Sequence, residues 1–163
     1  VGVNLGANKE SADRAADYTG RLLAFGRRGH VQPHVVSVGA ALSSVYPLLR
    51  RLTPASVEVV TQVWPDPLCV RIDATQLDQI FINLALNARD AMQSGGTLRF
   101  EVEPVDAISP RARVVPSGSF VRLSVRDTGH GMAPDVMARV FEPFFTTKAA
   151  SGGSGFGLPN VYA

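Results

Sequence analysis

The sequence predicts an α+β fold in which helices cover one face of a mixed β-sheet, and three observations carry that prediction. Residues 38–52 and 74–93 repeat apolar side chains at helical spacing, residues 97–105 and 119–126 alternate as half-buried strands do, and the two kinds of segment are interleaved along the chain. The 163 residues, 45% hydrophobic and 18% charged, are enough for one domain with its own core, or for one domain and an appendage. A single cysteine, Cys69, excludes an internal disulfide framework and cannot by itself build a zinc site. With 16 basic against 14 acidic residues the net charge is +2, and Arg27-Arg28 and Arg50-Arg51 stand apart from any basic run or aromatic platform. No nucleic-acid partner is expected from that pattern. No apolar run approaches the roughly 18 residues of a membrane span, so the segment is expected to be soluble and without membrane contact.

Taken in order, residues 9–28 form the first helical segment, with Ala12, Ala15, Ala16, Leu22, Leu23 and Phe25 on a narrow apolar face and Gly29 as its stop. Small residues on that face suit close packing against another helix. Residues 29–33 read as a linker, and the helix over 38–52 ends before Thr53-Pro54. Residues 56–64 and 68–72 are expected to be two strands joined as a hairpin across Pro65-Asp66-Pro67. The helix over 74–93 is closed by Ser94-Gly95-Gly96, and the strands over 97–105 and 119–126 flank a loop over 106–118. The remainder is rich in glycine and phenylalanine, with a short helix over 134–140 and a helix start after the last glycine cluster.

On a helical wheel at about 100° per residue, Gln76, Gln79, Asn83, Asn87 and Asp90 fall within a stripe of about 80°. Leu77, Ile80, Phe81, Leu84, Ala88, Ala91 and Met92 fill the neighbouring sector, while Asp78 and Arg89 point away from both. A row of short amides and carboxylates offers fixed donors and acceptors with little entropy to lose. An oxygen-rich helical face also suits a hard cation such as Mg²⁺, whose other ligands are waters and substrate phosphates. A polar helix flank would read the same way.

Asp127 shares its strand parity with Val121, Leu123 and Val125, which puts it on the buried face, where a carboxylate needs a backbone amide, an arginine or a ligand amine. The glycines of Asp127-Thr128-Gly129-His130-Gly131-Met132 allow a sharp turn or a close approach to a ligand, although ordinary turns carry the same pattern. A second cluster, Gly152-Gly153-Ser154-Gly155-Phe156-Gly157-Leu158, follows Lys148 and could hold phosphate oxygens on its N–H groups, but it fits neither the P-loop nor the dinucleotide fingerprint. Between the clusters, Phe141-Glu142-Pro143-Phe144-Phe145 supplies apolar anchors of the kind a hinged lid needs.

Together these blocks resemble the ATP-binding catalytic domain of sensor histidine kinases, within the superfamily that includes gyrase, the Hsp90 chaperones and MutL. Residues 83–92 resemble its N box, 127–132 its first glycine box, 141–148 its F box and 153–158 its second glycine box, in the family's order over about 38–163. The resemblance implies a two-layer sandwich of a mixed sheet with helices on one side. It implies that Asn87 coordinates Mg²⁺, with Asn83 and Asp90 supporting phosphate, water or metal, and that Asp127 accepts from the adenine amino group while Gly129 and Gly131 let the base lie close. It further implies that Lys148 and the backbone of Gly153, Ser154, Gly155, Phe156, Gly157 and Leu158 meet the phosphates, with Phe144 and Phe145 seating the lid. The implied chemistry is transfer of the γ-phosphoryl group of ATP to a histidine, by positioning and charge neutralisation.

Leu22-Leu23-Ala24-Phe25-Gly26-Arg27-Arg28 resembles the tail of the family's dimerisation hairpin, so residues 1–32 are assigned to that hairpin and linker and 33–163 to the catalytic domain. Partners implied are the hairpin of its own kinase, in a homodimer, and a response regulator, in the cytoplasm. The family's phosphoacceptor block is absent, and His30, His34 and His130 read as ordinary loop histidines. The chain opens on Val1 and stops at Ala163 inside family units, so it is expected to be a C-terminally incomplete piece. Hydrolytic members carry a glutamate where Asn83 stands, and an amide takes no proton from water. A nucleotide-binding or dimerisation module without turnover, or an ATPase of the same superfamily, are the alternatives.

Overall fold

The helix over Val38–Leu52 (α1) starts where the Ser37 hydroxyl accepts from the Ala40 N–H and stops where the Thr53 N–H and Oγ1 both turn back to the Leu49 carbonyl. Between these caps Val38, Leu42, Val45 and Leu49 recur at helical spacing and are buried. The second long helix, Ala74–Ala91 (α2), is capped by Asp73, whose Oδ1 accepts from the Thr75 N–H and hydroxyl and whose Oδ2 accepts from the Gln32 N–H. These bonds, the Thr75 hydroxyl first, hold the Asp73 carboxyl below its usual range. In a computed structural model the described residues are 32–106, 119–148 and 155–162. The helix expected over 9–28 lies outside them. From Gln32 onward the chain forms one unit, and no helix among the described residues is long and apolar enough to cross a membrane.

The strands are β1 (His34–Ser37), β2 (Val57–Val63), β3 (Cys69–Ile72), β4 (Gly96–Asp106) and β5 (Ser119–Asp127). Strand β4 is the centre of a mixed sheet, parallel to β2 with Val59 opposite Leu98 and antiparallel to β5 with Phe100 opposite Val125. Its residues Leu98, Phe100 and Val102 are buried with Val57 and Val59, while Val121, Leu123 and Val125 pack against them from β5. Helices α1 and α2 supply the other half of that core, so the α+β class holds. The Phe81 ring of α2 meets the Phe100 ring edge-on at 6.0 Å between centroids.

Two expectations are corrected. Residues 57–63 and 69–72 are strands but not a hairpin: β2 runs parallel to β4, and β3 pairs with β1 in a separate two-stranded sheet, His34 opposite Ile72. Pro65 and Pro67 lack the N–H groups a tight turn would use, and the Trp64 N–H continues to the Val102 carbonyl at 3.0 Å, so β2 is already committed to its longer partner. Residues 34–37 form β1, so His34, expected as a loop histidine, is instead the first residue of a paired strand. The short helices Pro134–Arg139 (α3) and Gly157–Tyr162 (α4) occupy their expected places.

Candidate functional site

Helix α2 buries Leu77, Phe81, Ala85 and Ala88, and Met92 at its C-cap is buried with them, an arc centred about 160° around the wheel from Asn83 at the ordinary helical pitch. The amide stripe therefore lies nearly opposite the core. Gln76 and Gln79 at its start are exposed, whereas Asn83, Asn87 and Asp90 are half-buried. Gly157, the first residue of α4, supplies part of the cover: a Cβ there would lie 3.7 Å from Asn87 Nδ2 and 3.8 Å from Asn83 Cγ. Beneath it, Asn87 Nδ2 is buried without a hydrogen-bond partner among the described residues.

One turn further on, Asp90 holds two cations. Its Oδ1 accepts from Arg89 Nε at 2.8 Å and Nη2 at 2.7 Å, and its Oδ2 accepts from Lys148 Nζ at 2.8 Å. Burial is the largest single influence on this carboxyl and raises its pKa. The hydrogen bonds and charges of Lys148 and Arg89 together outweigh burial and hold it below the usual carboxylate range. Arg89 was expected to point away from the stripe; its long side chain instead reaches round to its chain neighbour. Lys148, expected at phosphates, rests here on Asp90.

The end of β5 departs from expectation at Asp127. Its apolar neighbours of the same parity do face the core, but the face has run out at the strand's end and Asp127 is exposed. Its Oδ1 accepts from the Gly129 N–H at 2.9 Å. The two glycines of this turn have different reasons. A Cβ on Gly129 would lie 2.6 Å from the Ala91 Cβ and 2.7 Å from its carbonyl oxygen, so that glycine lets the turn lie against the end of α2, where the His130 N–H donates to Ala91. Gly131 has φ +69° and nothing within 4 Å of a Cβ, so it keeps open space above the turn. Thr128, which carries no sequence signal of its own, accepts from the Thr97 N–H at 3.0 Å and contacts the Met92 sulfur at 3.8 Å, fixing the turn to β4 and α2.

The phenylalanine block and the second glycine block are brought together by backbone. Phe144 adopts φ +70°, its N–H donates to the Gly155 carbonyl at 3.1 Å, and a Cβ on Gly155 would meet the Phe144 backbone at 2.4 Å. The Phe144 and Phe156 rings cross at 4.6 Å, and the Arg139 guanidinium lies 4.3 Å over the Phe145 ring. Leu158 is half-buried in α4. Gly153 and Ser154 lie outside the described residues. The structure thus groups Asn83, Asn87 and Gly157, then Asp90 and Lys148, then Phe144, Gly155 and Phe156, while within this set Asp127 bonds to Gly129. Among the described residues no cluster of three or more His, Cys, Asp or Glu could hold a metal. The donors are amide oxygens and one paired carboxylate, which fits Mg²⁺ with few protein ligands and does not fit a zinc cage.

Residues 72–163 match the family described as histidine kinase-, DNA gyrase B-, and HSP90-like ATPase. The chain is 41% identical over 157 residues to the sensor kinase CckA of Brucella abortus, covering 94% of this chain and 17% of that protein. It is 35% identical over 150 residues to the two-component sensor PprA of Pseudomonas aeruginosa, covering 90% of this chain and 15% of PprA. The chain therefore spans less than a fifth of either relative. Among solved structures it is similar to full-length ShkA in complex with AMPPNP, with a TM-score of 0.70 and 30% identity over 96% of this chain and 31% of that one. The mycobacterial sensor histidine kinase MprB shares the fold, with a TM-score of 0.60 and 24% identity over 80% of this chain and 76% of that one.

Proposed function

The chain belongs to the family of histidine kinase-, DNA gyrase B- and HSP90-like ATPases, and from that premise we propose that it binds Mg-ATP and positions the γ-phosphoryl group for transfer to a histidine supplied outside these residues. The observation that carries this reading is the enclosed Asn87 amide beneath Gly157. A buried polar group without a partner costs about 1–3 kcal/mol. A half-turn about χ2 exchanges the two ends of the amide, and its oxygen then suits a hard cation in the same space. When bound, Mg-ATP supplies the transferable phosphoryl group and the metal neutralises phosphate charge.

In this reading Asn87 holds the metal, and Asn83 on the same face orients a phosphate or a metal-bound water. Asp127 keeps Oδ1 on Gly129 and offers Oδ2 to the adenine amino group, with the space over Gly131 for the base. Lys148 and the N–H groups of Gly155 and Gly157 meet the phosphates, a role the family resemblance extends to Gly153 and Ser154 outside the described residues, and Phe144, Phe145, Phe156 and Leu158 seat the lid. No protein nucleophile is required, because positioning and charge neutralisation carry phosphoryl transfer. The AMPPNP in the ShkA complex and the naming of PprA as a two-component sensor support the reading. Residues 1–32 would be the tail of a dimerisation hairpin that pairs two copies in the cytoplasm, and a response regulator would receive the phosphoryl group.

The test is to incubate the chain with labelled Mg-ATP and a relative's dimerisation hairpin carrying the phosphoacceptor histidine. Acid-labile label on the hairpin is expected. Phosphate release without transfer would favour an ATPase, and neither would leave a binding module. Asn87→Ala is expected to remove Mg-dependent nucleotide binding more completely than Asn83→Ala; equal losses would mean that the metal role is misassigned.

A further inference from the structure

The Asp90 carboxylate joins two cations of different character. Arg89 offers its rigid guanidinium to Oδ1 through both Nε and Nη2, and Lys148 offers a single ammonium to Oδ2 at 2.8 Å. Lys148 comes from far along the chain, and its backbone is held separately, its N–H donating to Thr146 Oγ1 at 3.0 Å. Its flexible stem can therefore turn without moving the segment that carries it. Side-chain exposures of 38% for Lys148 and 31% for Asp90 make this an accessible pair, which another anion can enter. The position is one helical turn from Asn87 on the same stripe.

Removing one partner of a partly buried pair usually strands the other charge. Here it does not, because Arg89 stays on Oδ1 when Lys148 leaves Oδ2. We propose that Asp90 is a positioning residue that parks Lys148 in the nucleotide-free protein, and that the terminal phosphate of the nucleotide takes the ammonium from Asp90 while Arg89 keeps the carboxylate neutralised. This rests on the nucleotide reading above and adds a competition to it: carboxylate and phosphate contend for one cation, so the chain's own anion sets part of the affinity.

The experiment measures binding of Mg-AMPPNP and of adenosine to the unaltered chain, Asp90→Asn, Asp90→Glu, Lys148→Met and the Asp90→Asn/Lys148→Met pair, with a thermal melt of each. Asp90→Asn is expected to bind Mg-AMPPNP about two- to five-fold tighter, the range an exposed ion pair can hold back. Adenosine binding should not change, Asp90→Glu should return the affinity to that of the unaltered chain, and the gain should vanish in the Lys148→Met background. A structural role for Asp90 would instead weaken both ligands together. Weaker or equal Mg-AMPPNP binding by Asp90→Asn, or a gain that persists without Lys148, would overturn the exchange while leaving the nucleotide reading intact. Failure of the unaltered, cooperatively melting chain to bind Mg-AMPPNP would overturn both. Asp90→Ser serves as a second neutral side chain should the amide variant not melt cooperatively, with the same tighter binding expected and its absence equally decisive.

Discussion

The inner and outer sides of α2 meet different standards. On the inner side Leu77, Phe81, Ala85, Ala88 and Met92 are buried in one apolar core with residues of α1, β2 and β4, and the polar contact there, the Thr128 hydroxyl on the Met92 sulfur, is made. On the outer side an amide nitrogen is buried without a partner among the described residues, Phe144 holds a left-handed φ and is 69% exposed, and Tyr162 is 78% exposed. The same eighteen-residue helix serves both. Departures from good packing and polar satisfaction concentrate where a ligand would complete them, so the inner side stabilises the fold and the outer side keeps groups in reserve.

The comparison can be broken most severely from the inside. Phe81→Ala removes a fully buried ring that packs on Phe100 and is expected to cost about 3–5 kcal/mol in denaturant melts, with ligand binding failing only as the protein unfolds. At the junction of the two sides, Gly129→Ala drives a methyl into Ala91 and is expected to cost about 1–3 kcal/mol. Gly131→Ala meets no atom and carries only its left-handed backbone, about 1–2 kcal/mol. A larger loss at Gly131 than at Gly129 would mean that the turn does not rest on α2. On the outside, Asn87→Ala should leave the unfolding free energy within about 1 kcal/mol of the original, because it removes an amide without a partner among the described residues. The same change should abolish Mg-dependent binding. A large loss of stability there would erase the distinction between the two sides.

The smallest effect is a pH dependence. The folded Asp90 carboxyl titrates below its unfolded value, so its contribution is fully present above about pH 4 and is lost as acid protonates the folded form. Partly exposed as the pair is, that contribution is under about 1 kcal/mol. Melts in denaturant between pH 7 and acid should fall less steeply for Asp90→Asn than for the unaltered chain, and raised salt should narrow the difference. An identical acid slope would mean that the Lys148 and Arg89 contacts add nothing to stability.

Helices α1 and α2 and strands β4 and β5 were legible in the sequence because each has one wet and one dry face, and that contrast is written as a period. The pairing of β2 was not legible. Alternation in Val57–Val63 marks a strand with a core face but says nothing of its ladder partner, which lies beyond α2. Strand β1 was hidden for a related reason: four residues, two of them exposed, bear no alternation that a linker could not also bear. At the site, the stripe of Asn83, Asn87 and Asp90 was readable from helical geometry, but its counter-charges were not. Lys148 reaches Asp90 through the fold, and Arg89 does so through a side chain longer than the wheel's angular bookkeeping allows. Asp127 was placed on the right face of β5 and given the wrong depth, because parity tells which way a side chain points and not where the core ends.

The parallel pairing of β2 with β4 also has a bearing on how the molecule comes into being. Parallel neighbours cannot be joined by a tight turn, so residues 64–95, with β3 and all of α2, must be in place before Val59 can lie opposite Leu98. During synthesis β2 emerges well before its partner, with Val57 and Val59 exposed along an unpaired edge. The local bonds of the Asp73 cap can form α2 in that interval. Whether the nascent chain escapes association is then a race between closure of this crossover and encounter with another unfinished copy.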